Sequence, residues 1–500
     1  MKKYIAMIAA VCLLVTMGGC SEKKAEVTDV PATTAIVQES VAEVQLLHDL
    51  LTLGDTQVVH GGELINSAGE GWSYDAASGT LTLDGVNVST YKEDNTGISA
   101  LYCSGDLNLV LSGENSIDIS GEETMQSATG ICVLGQLYIS GSGSLNVKSG
   151  KGAADSVGVY AVKGLTISGS TVEAMGGQAD RSMGMASRDG ISLEEHADVI
   201  ACGGEATMLS AGMYTGQGSI IMMDSTVVTS GGDVICEKGT DTYAESCGIW
   251  ANHQVSINTS DVTAAGGNVQ AGDGQTAYSN GIYTSGGVDA DFESHVTAVG
   301  GNAAGNIAHS RGIYCCENNV QVYTAVLNAS SGEASGIQEA LSCGILVENG
   351  GFYTYEDGAD VTVTGGMANA SSESGIAYAN GVRVNVGDVG IDAGHAVITG
   401  GETSGAAGNS YGIFAEALLE ENSAMGGCVS FESGAGAEIT ANDIAVWAQS
   451  DLELDDENGL TLPEGGVVQG IGGEPYFPDY WIITDSAGKA ANHVVITGAE

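Results

Sequence analysis

Short stretches in which apolar and polar residues alternate recur along most of the chain, in a unit of about 32 residues. The clearest copy runs from Ser246 to Gly267 and holds three of these stretches. They are Gly248-Ile249-Trp250-Ala251, Val255-Ser256-Ile257 and Val262-Thr263-Ala264. Because alternation with a period of two is typical of strands with one buried face, each stretch is predicted to form a short β-strand.

A glycine followed by an apolar residue marks the start of each copy. The marker pairs are Gly97-Ile98, Gly130-Ile131, Gly158-Val159, Gly184-Met185, Gly212-Met213, Gly248-Ile249, Gly281-Ile282, Gly312-Ile313, Gly344-Ile345, Gly381-Val382 and Gly412-Ile413. Successive markers lie 26 to 37 residues apart, and nearly all of this variation falls in the loop between the closing double glycine and the next marker. Constant strands joined by one variable loop are typical of a stacked coil whose loops point outward.

These features predict an all-β fold, a right-handed parallel β-helix (a solenoid) of about twelve rungs with three short strands each. About two inward residues per strand would fill a narrow prism rather than a wide barrel. Between the strands, no stretch of about 10–15 residues is consistently helical, which disfavours βαβ units and leucine-rich horseshoes. At ~4.8 Å per rung the coil would be ~55–60 Å long.

The repeat also sets the predicted domain boundaries. Residues 97–451 form the β-helix, residues 46–96 an N-terminal cap with the first rung, and residues 452–500 a C-terminal cap. Residues 21–45 are polar and lack an apolar face, as expected of a flexible tether. Caps are expected because an open β edge invites pairing with other chains.

Both caps contain predicted elements of their own. Residues 46–51 could form one or two helical turns, and two strands are predicted around the turn at Ser78-Gly79. At the other end, the apolar stretches Tyr480–Asp485 and His493–Ile496 are predicted to pair with each other as a closing hairpin.

Residues 1–20 resemble a bacterial lipoprotein signal peptide. Lys2 and Lys3 precede an apolar run of a dozen residues, which is too short for an ordinary membrane span. The run ends in Met17-Gly18-Gly19-Cys20, which is similar to a lipobox with Met17 in place of the usual Leu. We therefore expect an exported protein anchored at the bacterial cell membrane by a lipid on Cys20, with an ordinary secretory signal as the alternative.

The chain is strongly acidic, with 63 Asp and Glu against 14 Lys and Arg and a formal net charge of −49. This balance argues against nucleic acid as a partner, because binding to phosphates needs clustered Lys and Arg. It also disfavours acidic polysaccharides unless cations bridge the two surfaces. Solubility and self-repulsion at a crowded surface are the simpler explanation of the charge.

The cysteines do not indicate a disulfide scaffold. Cys247 and Cys343 occupy the same repeat position three rungs apart, and this separation of ~14 Å is too large for a disulfide. Neighbouring residues of a strand point to opposite faces, so Cys315 and Cys316 cannot both face the core and one of them is predicted to be exposed.

Several stretches resemble a known group of proteins. Trp72-Ser73-Tyr74-Asp75, Gly79–Leu83, Gly105–Ile117 and Leu137–Leu145 are similar to the opening and early rungs of surface lipoproteins from gut Firmicutes, which have a pectin-lyase-like β-helix. The resemblance is sharpest over residues 71–175 and continues as a repeat pattern to about residue 450. It implies a secreted protein that binds polysaccharide without catalysis, in some members together with calcium.

The residues that catalysis on this fold requires are largely missing from the rungs. A lyase needs an Arg or Lys base above an acidic calcium cluster, but Arg181 and Arg311 are assigned to variable loops and Arg383 replaces an aromatic residue. A hydrolase of this fold needs paired carboxylates on neighbouring rungs, and Asp455-Asp456 follows the last regular rung. A polysaccharide lyase or hydrolase therefore stays an alternative to a non-catalytic protein.

An aromatic column is the first candidate for a ligand site. Aromatic residues stand two positions after six markers, at Tyr160, Tyr214, Trp250, Tyr283, Tyr314 and Phe414. The residue between is the inward one, so alternation turns the aromatic side chain outward. Tyr214, Trp250, Tyr283 and Tyr314 fall on consecutive rungs, where they could stack sugar rings or bind a partner. The alternative is a ladder of rings that stack on one another and stabilise the coil.

Acidic loops are the second candidate. Asp233, Asp241, Glu245 and Asp273 are assigned to adjoining variable loops, and clustered carboxylate oxygens suit Ca²⁺. The alternative is a set of solvated acidic loops without a metal. The turn before the third strand carries Asp261 and His295 on neighbouring rungs, and a structural contact between them is expected.

Together these observations favour a lipid-anchored bacterial surface protein, expected to be a monomer, whose β-helix binds carbohydrate or a surface protein without catalysis. Two alternatives stay open, a polysaccharide lyase or hydrolase and a structural or adhesive stalk.

Overall fold

The computed structural model describes residues 50–61, 65–237, 243–405, 407–420, 423–455, 458–472 and 479–498. The signal segment, Cys20 and the tether lie outside these residues, as does Asp241. In the ranges given, every regular element is a β-strand, and no helix capable of spanning a membrane is found there. The helical turns considered for residues 46–51 are not seen in the described part, where Leu50–Leu53 is a strand.

The described chain is a parallel β-solenoid of about twelve turns, which confirms the predicted fold class. Three stacked sheets run along it. The twelve rung strands of the first sheet are Gly97–Cys103, Ser127–Val133, Asp155–Ala161, Ala179–Ser187, Ala206–Thr215, Tyr243–Ala251, Thr276–Thr284, Ala303–Glu317, Ala334–Asn349, Ile376–Val386, Ala407–Ala415 and Ile444–Ala448.

The strands of the second sheet have three to six residues. Its strands are Ser67–Gly69, Trp72–Asp75, Thr80–Asp84, Leu107–Ser112, Gln136–Gly141, Gly164–Ser168, Ile191–Glu194, Ile220–Met223, Val255–Asn258, Val288–Asp291, Val320–Val322, Phe352–Thr354, Val389–Ile391, Cys428–Phe431 and Asp451–Leu454. From Thr80–Asp84 onward each strand pairs in parallel with the next.

The third sheet closes the prism. Its strands are Asn87–Val88, Glu114–Asp118, Ser144–Lys148, Thr171–Met175, Ala197–Cys202, Ser225–Ser230, Asp261–Ala265, His295–Val299, Val326–Ser330, Asp360–Thr364, His395–Thr399, Gly436–Thr440, His493–Thr497 and Gly459–Leu462. The inward residues of all three sheets form one continuous apolar core, as the alternation predicts. In the clearest copy Ile249, Ile257 and Ala264 are fully buried.

The pairing register of the first two rung strands shows that the predicted position of the first marker pair is wrong. Leu101 pairs with Ile131, and Gly97 pairs with Ser127 three residues earlier in the strand. The pair Ala100-Leu101, not Gly97-Ile98, therefore holds the first marker position. Alanine suffices there because the position needs only a small side chain, and the glycine pattern alone pointed to the wrong residue.

The variable loops are more regular than predicted. After the double glycine they form strands of their own, which stack in parallel from rung to rung. These are Val234–Cys236, Val269–Ala271, the first residues of Ala303–Glu317 and of Ala334–Asn349, Ala368–Ala370 and Thr403–Ser404. Small side chains, mostly alanines such as Ala277 and Ala308, join them to the rung strands in a second core. The loops thus form a fourth stack instead of projecting freely.

A ladder of serines fixes the double glycines. The Ser246 hydroxyl donates to the Gly232 carbonyl at 2.8 Å and accepts from the Gly267 amide at 2.8 Å. The arrangement recurs at Ser182, Ser210, Ser279 and Ser310. A side chain on Gly267 would not fit, since its Cβ would lie 2.3 Å from the Gly232 oxygen. The double glycine therefore lets neighbouring rungs approach closely.

Antiparallel strands cover both ends of the coil. At the start, the predicted turn is present, since Trp72–Asp75 pairs with Thr80–Asp84. At the other end the predicted hairpin is wrong. Tyr480–Thr484 pairs with the last rung strand of the first sheet, whereas His493–Thr497 pairs with the third sheet. Each strand therefore closes a different sheet. Asp451–Leu454 still pairs in parallel, so the second sheet continues past the predicted boundary at residue 451.

No disulfide links the cysteines of the described residues. The expectation of an exposed thiol is wrong, because Cys315 and Cys316 are both buried. Cys315 faces the core, and the outward-facing Cys316 lies 3.5 Å from the Tyr283 hydroxyl, which covers it. The Asp261–His295 contact is confirmed, with 3.1 Å between Oδ1 and Nδ1 on the coil surface.

Candidate functional site

The aromatic column exists as predicted on the outer side of the first sheet. Tyr214, Trp250, Tyr283 and Tyr314 pair in register on four consecutive rungs. The same position continues in both directions. In chain order it holds Tyr102, Cys132, Tyr160, Ala186, Tyr214, Trp250, Tyr283, Tyr314, Leu346, Arg383, Phe414 and Trp447.

Within the column the rings stack on each other. The centroids of Tyr214 and Trp250 are 4.6 Å apart at 20°, and those of Trp250 and Tyr283 are 4.9 Å apart at 18°. Tyr314 meets Tyr283 edge-on at 5.3 Å. Both faces of Trp250 are therefore covered, and only 8% of Tyr214 is exposed. This is the geometry of the self-stacking ladder, and it leaves no face of Trp250 for a sugar ring.

A buried polar network lies beside the column. Glu245 accepts hydrogen bonds from Asn280 Nδ2 at 3.0 Å, from the Cys247 thiol at 3.4 Å and from Trp250. Asn280 Oδ1 accepts in turn from Arg311 Nη1 at 3.3 Å. Glu245, Cys247, Asn280 and Arg311 are buried, so these hydrogen bonds satisfy most of the polar atoms that would otherwise destabilise the fold, although Arg311 Nε has no partner among the described residues.

Arg311 is the centre of this network. Its guanidinium carbon lies 4.0 Å from the centroid of the Tyr314 ring and 5.0 Å from that of Tyr278, and only 2% of the residue is exposed. Nη2 contacts His309 Nδ1, whose Nε2 lies 3.0 Å from Glu339 Oε1. The assignment of Arg311 to a variable loop is wrong, because the strand Ala303–Glu317 continues through the loop into the rung.

Burial controls the protonation of the network. It lowers the pKa of His309 to about 4, and the neighbouring Arg311 charge adds to this effect. Burial also raises the pKa of Glu245, against the opposing effects of its hydrogen bonds and of Arg311. A neutral imidazole that is largely buried and an enclosed guanidinium suit a structural role.

The proposed metal ligands do not come together. Asp233 is exposed and accepts from the backbone and side-chain nitrogens of Asn268 at 2.9 and 3.2 Å, which ties one loop to the next. Glu245 lies in the strand Tyr243–Ala251 and not in a loop, so its assignment to the acidic loops is wrong. Asp273 lies in a turn, and Asp241 is outside the described residues. Among the described residues, no three His, Cys, Asp or Glu are placed to hold a metal ion.

A second aromatic cluster lies on the outer side of the second sheet, in its C-terminal half. Each rung presents two outward residues, and backbone hydrogen bonds continue the stacking beyond the short strands. We call this surface the tyrosine face. It consists of Asp289, Asp291, Gln321, Tyr323, Tyr353, Tyr355, Gly390, Asp392, Ser430, Glu432, Glu453 and Asp455.

Three tyrosines form the middle of the tyrosine face. The ring centroids of Tyr323 and Tyr355 lie 5.0 Å apart, and those of Tyr353 and Tyr355 lie 5.7 Å apart at 16°. Gln321 Nε2 donates to the Tyr355 hydroxyl at 3.0 Å. Tyr353 pairs with Gly390, which has no side chain to cover the ring, and a Cβ there would lie 2.7 Å from Tyr353 Cδ1. All three tyrosines are partly exposed, as are Trp250, Tyr283 and Tyr314 of the aromatic column.

Carboxylates flank the tyrosines on both sides. Burial raises the pKa of Asp289, with a smaller contribution from Asp291, and burial and then Glu432 raise that of Asp392. Toward the C-terminus the surface opens into a cavity of about 510 Å³, lined by Ser430, Phe431, Glu432, Leu452, Glu453, Leu454, Asp455 and Val468. The tyrosine face thus combines flat rings, hydrogen-bonding groups and an open depression, the usual components of a ligand site.

Sequence reasoning missed the tyrosine face although its signal is present. Phe352-Tyr353-Thr354-Tyr355 alternates, which places both tyrosines on the outer side, and Asp289 and Asp291 follow the same rule two rungs earlier. The marker glycines directed attention to the first sheet. Comparison of the chain with protein-family models, curated proteins and solved structures gives no match.

Proposed function

We propose that this protein is an exported, lipid-anchored surface protein that binds carbohydrate without catalysis, and that the tyrosine face is its binding site. The observation that supports this proposal is the half-exposed cluster of Tyr323, Tyr353 and Tyr355 beside Gln321. The anchor would be the lipid expected on Cys20, which keeps the protein at the cell surface.

The chemistry of the tyrosine face suits sugars. A tyrosine ring offers an apolar surface for the C–H groups of a pyranose and a hydroxyl that hydrogen-bonds to its edge. The Gln321 amide and the carboxylates of Asp289 and Asp392 add acceptors and donors that fix the orientation of a sugar. On the tyrosine face, Tyr323 and Tyr353 each stack on Tyr355. In the aromatic column, Trp250 is stacked on both faces, by Tyr214 and Tyr283, so the column is assigned to stability.

Affinity electrophoresis against a panel of neutral, acidic and amine-bearing polysaccharides tests the proposal. We expect retardation of the wild type in at least one gel and loss of retardation in the Tyr353→Ala/Tyr355→Ala double variant. Tyr138→Ala, which removes a half-exposed tyrosine from the same outer side of an early rung, is the matched control and keeps the binding.

Two results would overturn the proposal. One is a wild type that no polysaccharide retards, and the other is a double variant that is folded yet retarded as strongly as the wild type. Release of new reducing ends without unsaturated ends from the retarding polysaccharide would instead support the hydrolase alternative, and release of unsaturated ends would support the lyase.

A further inference from the structure

We propose that the ligand of the tyrosine face is a linear glycan with free amino groups, bound along the axis of the solenoid. This inference rests on the proposed function and adds the chemical class and the direction of the ligand. The tyrosines and the cavity define the site, and the surrounding charges define what it accepts.

The charge of the tyrosine face is local and of one sign. Of its twelve outward positions, six are Asp or Glu and none is Lys or Arg. On the six preceding rungs of the same sheet, the corresponding positions contain one carboxylate, Glu194. The acidity of the tyrosine face therefore exceeds what the rest of this sheet shows, although the whole chain is acidic.

The carboxylates are placed on both sides of the rings. Asp289 and Asp291 lie one rung before Tyr323, and Asp392 lies one rung after Tyr355. A pyranose stacked on a tyrosine would bring its amino substituents within reach of these side chains. An ammonium group there would be attracted by partly buried carboxylates, whereas a uronate would be repelled. Charge complementarity thus favours an amino sugar and excludes an acidic one.

The site is longer than one sugar. The tyrosine face spans six rungs, from the rung of Asp289 to the rung of Asp455. The five spacings of ~4.8 Å between them give a length of ~24 Å. The tyrosines occupy the middle of this length, and the cavity of about 510 Å³ lies at its C-terminal end. A chain of several sugars is needed to contact both, so a single amino sugar should bind weakly.

A flat polymer fits this surface better than a basic peptide does. Successive sugars of a linear glycan repeat the same ring and the same amino group, as successive rungs repeat the outward positions. A basic peptide would need extended backbone partners, but the second-sheet strands from Val288 to Ile391 are paired on both sides and offer none.

Isothermal titration with three oligosaccharides of matched length tests the inference. The probes are a glucosamine hexamer with free amines, the N-acetylated hexamer and a galacturonate hexamer. We expect the free-amine hexamer to bind at least about tenfold more tightly than the N-acetylated one, the galacturonate hexamer not to bind, and the glucosamine monomer to bind more weakly than the hexamer. Salt should weaken the binding of the free-amine hexamer.

Variants separate this inference from the proposed function. Asp289→Asn and Asp392→Asn should each weaken binding of the free-amine hexamer severalfold and reduce its preference over the N-acetylated hexamer. Glu194→Gln, at an outward position of an earlier rung, is the matched control and should change neither.

The inference is overturned if the N-acetylated hexamer binds as tightly as the free-amine hexamer, or if hexalysine competes equally well. The first result would leave carbohydrate binding intact and remove only the requirement for amines. The second would replace the glycan with a basic peptide as the ligand. If none of these oligosaccharides binds, the inference fails, and the proposed function fails as well only if no polysaccharide of the electrophoresis panel retards the wild type.

Discussion

The aromatic column and the tyrosine face are built in the same way, but their rings have different surroundings. Both place aromatic residues at outward positions of parallel strands, one rung apart. In the first sheet the strands are long, up to 16 residues in Ala334–Asn349, so other outward side chains flank the rings. In the second sheet Phe352–Thr354 has 3 residues, and few neighbours are available to cover Tyr353. Strand length therefore distinguishes the surroundings of the two sets of rings.

The difference also appears in the charges. Next to the column, Arg311 and Glu245 are enclosed and linked by hydrogen bonds through Asn280, so the charges are compensated inside the protein. On the tyrosine face, Asp289 lies near Asp291 and accepts a hydrogen bond from Gln254, and Asp392 lies near Glu432, so no cationic side chain of the face compensates these carboxylates. The charges beside the column are therefore compensated within the protein, whereas the tyrosine face keeps a negative charge that a cationic ligand would neutralise.

Removal of Arg311 should have the largest effect on stability. Arg311→Ala leaves Glu245 buried without its compensating charge and opens a space between Tyr278 and Tyr314, so we expect a loss of about 3–5 kcal/mol. Urea unfolding followed by circular dichroism measures it. Arg188→Ala removes an exposed ion pair with Asp189 and should cost less than about 1 kcal/mol. Equal losses in the two variants would show that the network does not stabilise the coil.

Acid should weaken the same region through His309. Because its pKa is about 4 in the fold and 6.5 in the unfolded chain, the unfolded chain binds the proton first as the pH falls. The contribution is complete above pH 6.5 and is lost as the pH approaches 4, to an extent of about 3 kcal/mol. His309→Gln can keep a hydrogen bond to Glu339 without titrating. The difference in unfolding free energy between wild type and variant should therefore change over this pH range, and a constant difference would contradict the role of His309.

Fold and site differ in how far the sequence could predict them. The alternation of apolar residues specified the three-sheet coil because most inward positions of the three sheets hold Val, Ile or Leu, with Ala at others such as Ala264. It did not reveal the fourth stack of loop strands, since alanines such as Ala277 and Ala308 give a weak apolar signal. Because this apolar signal is weak, the sequence pattern assigns Arg311 to a loop, although Arg311 lies in the strand that begins at Ala303.

The position of the aromatic column was predictable, but its exposure was not. Alternation states which side of a strand Trp250 occupies, whereas its cover depends on neighbouring rungs and on the length of the strands. The alternation in Phe352-Tyr353-Thr354-Tyr355 also predicts that Tyr353 and Tyr355 lie on the outer side of their strand. What no local pattern could supply is the pairing that brings Asp289 and Asp392, more than a hundred residues apart, to the two ends of one cluster.

Trp250→Ala removes the central ring of the aromatic column. It removes two stacked contacts and the hydrogen bond to Glu245, so we expect a loss of about 2–3 kcal/mol. The free-amine hexamer should bind this variant as tightly as the wild type while the fold persists. Thermal unfolding and titration of the same sample check both statements, and weaker binding by a folded variant would return the column to the list of ligand sites.

Ser246→Ala should give the smallest effect. It removes the buried hydroxyl that links the Gly232 carbonyl to the Gly267 amide, at a cost of about 1–2 kcal/mol. Ser192→Ala, on the outer side of the second sheet, is the control and should stay within about 0.5 kcal/mol of the wild type. Thermal unfolding compares the two, and an unchanged Ser246 variant would mean that the serine ladder is dispensable.

A crystal structure of the protein with the free-amine hexamer tests the division of roles most directly. The account predicts a sugar chain along the second sheet, stacked on Tyr353 or Tyr323, with amino groups beside Asp289 and Asp392, and an aromatic column unchanged by the ligand. A sugar chain bound instead on the first sheet, between Tyr214 and Tyr314, would contradict it.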